Sequence, residues 1–396
     1  MIAMNIKKIW QWGLLPRVVI AIVLGILIGL VVNEPIVRAF LTFNILFSQF
    51  LGFLVPLIIV GLITSAIGDI GSQAGKLLLL TVLIAFGDTV LSGLLTYTTG
   101  MLCFPSLIGN AVASGVPEQV QELQPYFKIQ IPPILDVMSA LVFSFNLGIC
   151  IAYGKLPTLR SLASEFKEVI HRIISGLLVP LLPLYIFGLF LNITYSGHVW
   201  QAMSVFVNII LMILVLHIFI LLYEFVAAGL IVHRNPLRLL WTMLPAYATA
   251  LGTSSSAATI PVTLKQAQKN GISEETAGFV IPLCATIHMS GSMMKITACA
   301  LVISMLDGMP TDFGLFLHFI LMLSVVMIAA PGVPGGAIMA ALAPLANVLG
   351  FSGPQQAMMI TIYIAMDSFG TACNVTGDGA IALVVDKIRK HAPALS

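Results

Sequence analysis

Charge is scarce in this sequence. Of 396 residues, 16 are Asp or Glu and 18 are Lys or Arg, together 9%, where an ordinary soluble domain carries about 25%. The net charge of +2 is small and the basic residues are dispersed, which excludes a nucleic-acid surface; no nucleic acid is expected as a partner. Cysteine is sparse as well. Cys103, Cys150, Cys284, Cys299 and Cys373 lie singly in apolar stretches, odd in number and without metal-ligand spacing. They are read as small core residues, which leaves no disulfide framework, no cysteine metal centre and no resident cofactor. A small-x-small cleavage site is missing after the first apolar run, residues 14–32. That run is long enough to cross a bilayer, so it is predicted to be a retained first helix and not a leader.

Apolar residues are abundant: 59% of the chain, with a mean hydropathy of +1.06. A soluble protein of this length cannot hide so much apolar surface, and the surplus must face lipid. The prediction is an all-α polytopic membrane protein. Spans are expected near 14–32, 36–68, 76–104, 133–153, 169–195, 199–231, 275–306 and 355–385, eight in all. Two further apolar stretches, 237–264 and 314–350, are interrupted by SSSAATIP and PGVPGG. With the N-terminus in the cytoplasm, Lys and Arg gather on that side; only Arg38 and Lys128 fall outside, and Lys295 stays at membrane depth. The bias requires each interrupted stretch to enter and leave on one face, as a re-entrant hairpin, and puts both termini inside the cell.

Irregular backbone at membrane depth is tolerated only inside protein or around a water-filled cavity. The interrupted stretches therefore point to a solute pathway. SSSAATIPVT precedes a helix predicted to break at HMSGS, and PGVPGG precedes one predicted to break at NVTGD. One hairpin opens to each side, which is the inverted repeat of secondary transporters, with a site between the halves.

The last apolar run carries DSFGTACNVTGD, residues 367–378. On a helix, Asp367, Gly370, Thr371, Asn374 and Asp378 share one face. Two carboxylates inside a membrane are costly unless cations meet them. A substrate ammonium could meet one and a coupling ion the other; Asn374 and Asp378 are hard oxygen donors suited to Na⁺, and the NVTG turn would add unwound carbonyls. The bland alternative is a polar helix–helix contact between neutral aspartates.

SSSAATIPVT, PLCATIHMSGS, PGVPGGAIM and DSFGTACNVTGD occur in the order found in the dicarboxylate/amino acid:cation symporters, the glutamate-transporter family, which the chain resembles strongly over 240–385 and by span layout before that. The resemblance implies an elevator-type homotrimer. Residues 1–75 and 105–195 would form the scaffold, and 76–104 and 196–396 the transport domain. It implies that Asp367 holds the substrate α-amino group, that Thr371 and Asn374 touch substrate, and that Asn374 and Asp378 hold sodium. The gates would be the hairpin tips, Ser255–Ser256 and Gly332–Gly335, with Val333, Pro334 and Gly335 beside the substrate.

Several positions depart from the family pattern. Acidic-substrate members have an arginine where this chain has Gly370, or one supplied near Ser254; neither is available, so a second substrate carboxylate lacks a bidentate partner. The branch most resembled is that of serine and threonine. The family's Asn-Met-Asp-Gly-Thr reads His288-Met289-Ser290-Gly291-Ser292. Alignment on Pro105 sets Asp88 and Thr89 at third-helix oxygen-ligand positions, as though a carboxylate had moved there. His288 and Ser290 join them as candidate ion ligands. Lys295, seven residues past His288 and expected on the same face, would stand in for a bound cation; its bland reading is a side chain snorkelling to an interface, and that of Asp88 is a static pair with Lys295.

The expected function is Na⁺-coupled import of a small neutral amino acid (serine, threonine or alanine) across a bacterial inner membrane, with lipid as the other partner. Proton coupling, or a dicarboxylate or another amino acid as substrate, is the alternative. A passive channel and an intramembrane aspartyl protease using Asp367 with Asp378 or Asp88 are the rivals. Against the protease, position 375 is Val where that group has Gly. His217 and Glu224 share a face of the sixth span and could pair; Glu165, Glu168, Glu274 and Glu275 are expected in solvated loops, and 105–131 in an extracellular connection.

Overall fold

The computed structural model of the protein describes residues 14–72, 76–113, 123–135, 137–154, 156–197, 199–328, 330 and 335–391. Among these the chain is helical and no strand occurs. The helices are α1 (Leu14–Gly29), α2 (Glu34–Ser72), α3 (Lys76–Ala113), α4 (Val137–Tyr153), α5 (Pro157–Ile173), α6 (Val179–Tyr195) and α7 (Val199–Val232). They continue as α8 (Pro236–Thr253), α9 (Ser256–Lys269), α10 (Glu274–Ile287), α11 (Ser290–Leu306), α12 (Phe313–Met327), α13 (Gly336–Asn347), α14 (Gly353–Ala365) and α15 (Asp367–His391).

Among the described residues, four segments are long and apolar enough to cross a membrane unaided: Glu34–Ser65, Leu77–Ser106, Val207–Val232 and Glu274–Leu306. Pro157–Leu178, which ends in a π-helical turn, and Pro180–Tyr195 meet at a bend of 44° and make a fifth span if taken as one. The expected first and fourth spans form shorter helices, and the last is divided into α14 and α15. Large apolar side chains stand exposed on the outer helices, among them Leu102, Val215, Leu230 and Trp241, as a lipid-facing surface requires.

Local sequence explains the helix starts. Asn235 caps α8 by accepting from the Arg238 amide, with Pro236 in the first turn. Ser273 caps α10 and Asp312 caps α12 in the same way, and Ser352 forms a capping box with Gln355 before α14. Each supplies an acceptor to amides that would otherwise lack one.

Both interrupted stretches form helix pairs. α8 and α9 pack on each other across Ser254–Ser255, and α12 packs on α13. Ser254 turns the first tip with φ +50°, and Gly335 ends the second with φ +75°, a left-handed conformation that glycine adopts without strain. α15 is the most central element, packed against α3 and α7–α11. α1, α2 and α4–α6 pack among themselves, and α13 and α14 bridge the two groups by touching α2 and α1.

Three expectations about local structure are corrected. Helix α3 continues through Pro105 to Ala113, so the connection begins later than residue 105. Its described part, 123–135, is tied to α2: the Tyr126 amide donates to Thr42 Oγ1 (2.9 Å), Arg38 Nε donates to the Gln124 carbonyl (3.0 Å), and the Arg38 guanidinium lies 4.6 Å over the Tyr126 ring. Glu165 and Glu168 are solvated, but on the amphipathic helix α5, where Glu168 pairs with Arg172 at 2.9 Å. Glu274 and Glu275 occupy the first turn of α10.

Candidate functional site

The helix expected to break at HMSGS does so at His288–Met289, between α10 and α11. The last span breaks at Met366, and α15 runs unbroken through NVTG. No unwound carbonyls arise at NVTG, because Thr376 Oγ1 bonds the Ala372 carbonyl within the helix and Asn374 bonds a different helix. Asn374 Oδ1 accepts from the Gly291 and Ser292 amides, at 2.8 and 3.2 Å, and Nδ2 donates to Ser292 Oγ at 3.1 Å. Met289, the residue before α11, offers no side-chain cap. Asn374 therefore caps α11 from α15, satisfying amides that a broken helix exposes. The two helices meet closely there: a β-carbon on Gly291 would lie 2.6 Å from Cys373 Cβ.

The polar stripe of α15 is buried, with Asp367, Thr371, Asn374 and Asp378 all at 7% exposure or less. It serves two clusters. In the first, Asp367 opens α15. Its Oδ2 accepts from the Gly335 amide of the second tip at 2.7 Å, and its Oδ1 lies 3.6 Å from Lys295 Nζ. Lys295 also donates to the Met366 carbonyl (3.3 Å) and lies 3.7 Å over the Tyr363 ring. Ser368, next in α15, bonds Ser254 of the first tip, Oγ to Oγ 2.7 Å. Thr371 Oγ1 is turned back to the Asp367 carbonyl. Ser255 accepts from the Ala258 amide, and Ser256 is the buried first residue of α9. Both tips thus touch residues 367–368. Val333 and Pro334, with Gly332, lie outside the described residues.

The second cluster lies farther along α15. His288 bridges two carboxylates: Nδ1 to Asp378 Oδ1 at 3.0 Å and Nε2 to Asp88 Oδ2 at 2.9 Å. Ser290 Oγ donates to Glu224 Oε1 at 2.9 Å, whereas Glu224 Oε2 is buried without a hydrogen-bond partner. Ligand atoms of Asp88, Glu224 and His288 lie within 4.8 Å of one another. A cavity of about 240 Å³ is lined by Asp88, Tyr223, Glu224 and residues of α15. Three carboxylates around one imidazole, with an orphaned carboxylate oxygen and a hydroxyl, make a hard, anionic donor set that fits a small cation. Thr89 does not join it by its hydroxyl, which bonds the Ala85 carbonyl one turn back.

Two sequence expectations change here. Lys295 pairs with Asp367 and not with Asp88, whose carboxylate is bonded to His288 instead. His217 and Glu224 do not pair: His217 Nε2 donates to the Gly291 carbonyl at 3.1 Å, and Glu224 faces Ser290. Sequence spacing alone gives Glu224 no role. Its signal was an acidic residue deep in an apolar span.

Two polar clusters on one helix, each at a helix break and the first beside both hairpin tips, form the core expected of a transporter. The sequence profile described as the sodium:dicarboxylate symporter family matches residues 14–388. The chain belongs to this family. Among its relatives, excitatory amino acid transporter 1 of Bos taurus and that of Rattus norvegicus are each 27% identical over 297 residues, and that of Homo sapiens is 26% identical. The match covers 72% of this chain and 54% of each relative, so the chain spans about half the length of the curated relatives it matches. The sodium:dicarboxylate symporter family consists of transporters and not enzymes, which removes the protease rival. Asp367 and Asp378 also sit in separate networks, one with Lys295 and one with His288.

Proposed function

We propose that the chain is a Na⁺-coupled symporter that imports a small neutral amino acid, with serine, threonine and alanine as leading substrates, across a bacterial inner membrane. The observation that carries this reading is Asp367: a buried carboxylate at a helix start, between the two hairpin tips, balanced by a single lysine. A substrate α-ammonium binds at Asp367. A neutral amino acid leaves the pocket uncharged, whereas an acidic one adds one negative charge to it.

The coupling ion belongs with Asp88, Glu224, Asp378 and Ser290. Asn374 connects the two clusters. It caps the α11 turn that carries Ser290 and lies on α15 between Asp367 and Asp378. An ion that draws Ser290 and Glu224 together orders α11, and the ordered helix holds Asn374 and Lys295 for substrate. Such coupling is reciprocal: each ligand raises the affinity of the other by one common factor.

Proton coupling is the second reading, favoured by His288. Both ring nitrogens face carboxylates, so the bridge holds one proton more than a neutral imidazole can supply. That proton is a candidate for release during transport. The packing of α1, α2 and α4–α6 chiefly among themselves, joined to the rest mainly through α13 and α14, supports an elevator movement; a homotrimer is the assembly proposed for it.

The test is a binding matrix. L-serine affinity is measured by intrinsic fluorescence of the purified protein over a series of Na⁺ concentrations, and Na⁺ affinity over a series of L-serine concentrations, at two pH values. Equal enhancement factors support the proposal. Enhancement by L-aspartate with none by L-serine, alanine or threonine refutes the substrate class, and indifference to Na⁺ with dependence on pH favours the proton.

A further inference from the structure

We infer that Lys295 reads the substrate: its ammonium receives the α-carboxylate of a zwitterionic amino acid while the substrate's α-ammonium binds Asp367 next to it. The inference rests on the proposed amino acid site and adds the residue that gives it selectivity.

Lys295 is fully buried, and it is a cation on a helix otherwise lined with Ser, Thr and apolar residues. A buried ammonium needs an anion, acceptors or an aromatic face. Asp367, the Met366 carbonyl and Tyr363 supply one of each. The side chain lies directly on the bare backbone of α15. A β-carbon on Gly370 would overlap Lys295 Cε and Nζ and come within 3.1 Å of Cδ. Gly370 is therefore not an empty position left by a missing side chain; its space is filled from α11.

The Lys295–Asp367 separation of 3.6 Å exceeds the roughly 2.7–2.9 Å of a closed charge-assisted bond. The pair is matched in charge but loose. In an amino acid the α-nitrogen and the nearer carboxylate oxygen are about 2.7 Å apart, as standard bond lengths and angles require. Set head to tail against Lys295 and Asp367, the zwitterion completes a ring of four alternating charges, each with two opposite neighbours. An amine without a carboxylate would satisfy Asp367 and strand the lysine. An acid without an amine would do the reverse. A second carboxylate would find no second cation.

The experiment compares L-serine, serinol (the same skeleton with the carboxylate reduced to an alcohol) and L-aspartate as ligands of the purified full chain at saturating Na⁺, for wild type, Lys295→Met and Gly370→Ala. Lys295→Met is expected to weaken L-serine by about tenfold or more, the value of one charged hydrogen bond, and to leave serinol unchanged or tighter. Gly370→Ala, which pushes the ammonium aside, is expected to act on L-serine in the same direction and by less. Equal loss of L-serine and serinol would make Lys295 a structural counter-ion and overturn the inference. Wild-type affinity for L-serine in the Met variant, or a loss confined to L-aspartate, would overturn it as well. If the wild type binds neither amino acid, the amino acid reading falls and this inference with it; if it binds L-serine and the Met variant does so equally, only the inference falls. Should Lys295→Met not elute as folded protein, Lys295→Gln with Gly370→Ala makes the same comparison.

Discussion

Asn374→Ala should destabilise the protein more than any single hydrogen bond would suggest, because it removes the cap of a neighbouring helix. Its Oδ1 accepts two amides of α11, from Gly291 at 2.8 Å and Ser292 at 3.2 Å, and the side chain is 4% exposed. A buried donor left without a partner costs about 1–3 kcal/mol, and loss of an N-terminal cap costs about 0.5–2 kcal/mol. The two figures describe the same loss of an acceptor, and the second amide bond is long and weaker, so the cost is about 1–3 kcal/mol. Ser292→Ala is the control. It removes the hydroxyl that Asn374 Nδ2 and Tyr363 contact but leaves both capping bonds, and should cost about 1 kcal/mol. The assay is unfolding of detergent-solubilised protein by sodium dodecyl sulfate, followed by tryptophan fluorescence. If Asn374→Ala unfolds no earlier than Ser292→Ala, the trans-cap is not what holds α11, and the link argued between ion and substrate sites loses its physical basis.

Asp367→Asn should lower amino acid affinity by at least about tenfold, since a neutral amide cannot balance a buried ammonium and a charged hydrogen bond is worth roughly 1.5–3 kcal/mol; titration calorimetry showing unchanged affinity would refute the assignment. Asp88→Asn and Glu224→Gln should each weaken the Na⁺ dependence of L-serine uptake without reordering serine, alanine and threonine; a changed ranking with intact Na⁺ dependence would put them in the substrate site. Gly335→Ala, at φ +75°, strains the backbone whose amide meets Asp367, by about 1 kcal/mol. L-serine dissociation measured by stopped-flow fluorescence should become faster, and an unchanged rate would show that this tip does not retain substrate.

Much of the architecture could be read from local chemistry. SSSAATIP and PGVPGG interrupt apolar runs with residues that suit caps and tight turns, and helix pairs form at both. The break at His288–Met289 fell where HMSGS suggested it. The break in the last span did not, since Met366 carries no turn signal and NVTG does; NVTG stays helical with Asn374 bonded to α11 and Thr376 bonded back to the Ala372 carbonyl. The stripe from Asp367 to Asp378 followed from helical spacing alone. What depends on packing between distant segments was not legible. Lys295 was assigned to the ion site by its spacing from His288, whereas it pairs with Asp367. Glu224 and His217 looked like partners on one helix, whereas each faces residues at the start of α11. Gly370 read as a vacancy because the chain that fills it comes from another helix.

The central claim, Na⁺-driven import of a neutral amino acid, is tested most directly by L-serine flux into proteoliposomes with the Na⁺ gradient set in steps and the proton gradient held at zero. The account predicts net accumulation against the serine gradient, reversing at a Na⁺ ratio that fixes the number of ions moved, and lost in Asp367→Asn. Flux that only equilibrates L-serine, or that reverses with the proton gradient and ignores Na⁺, would contradict it.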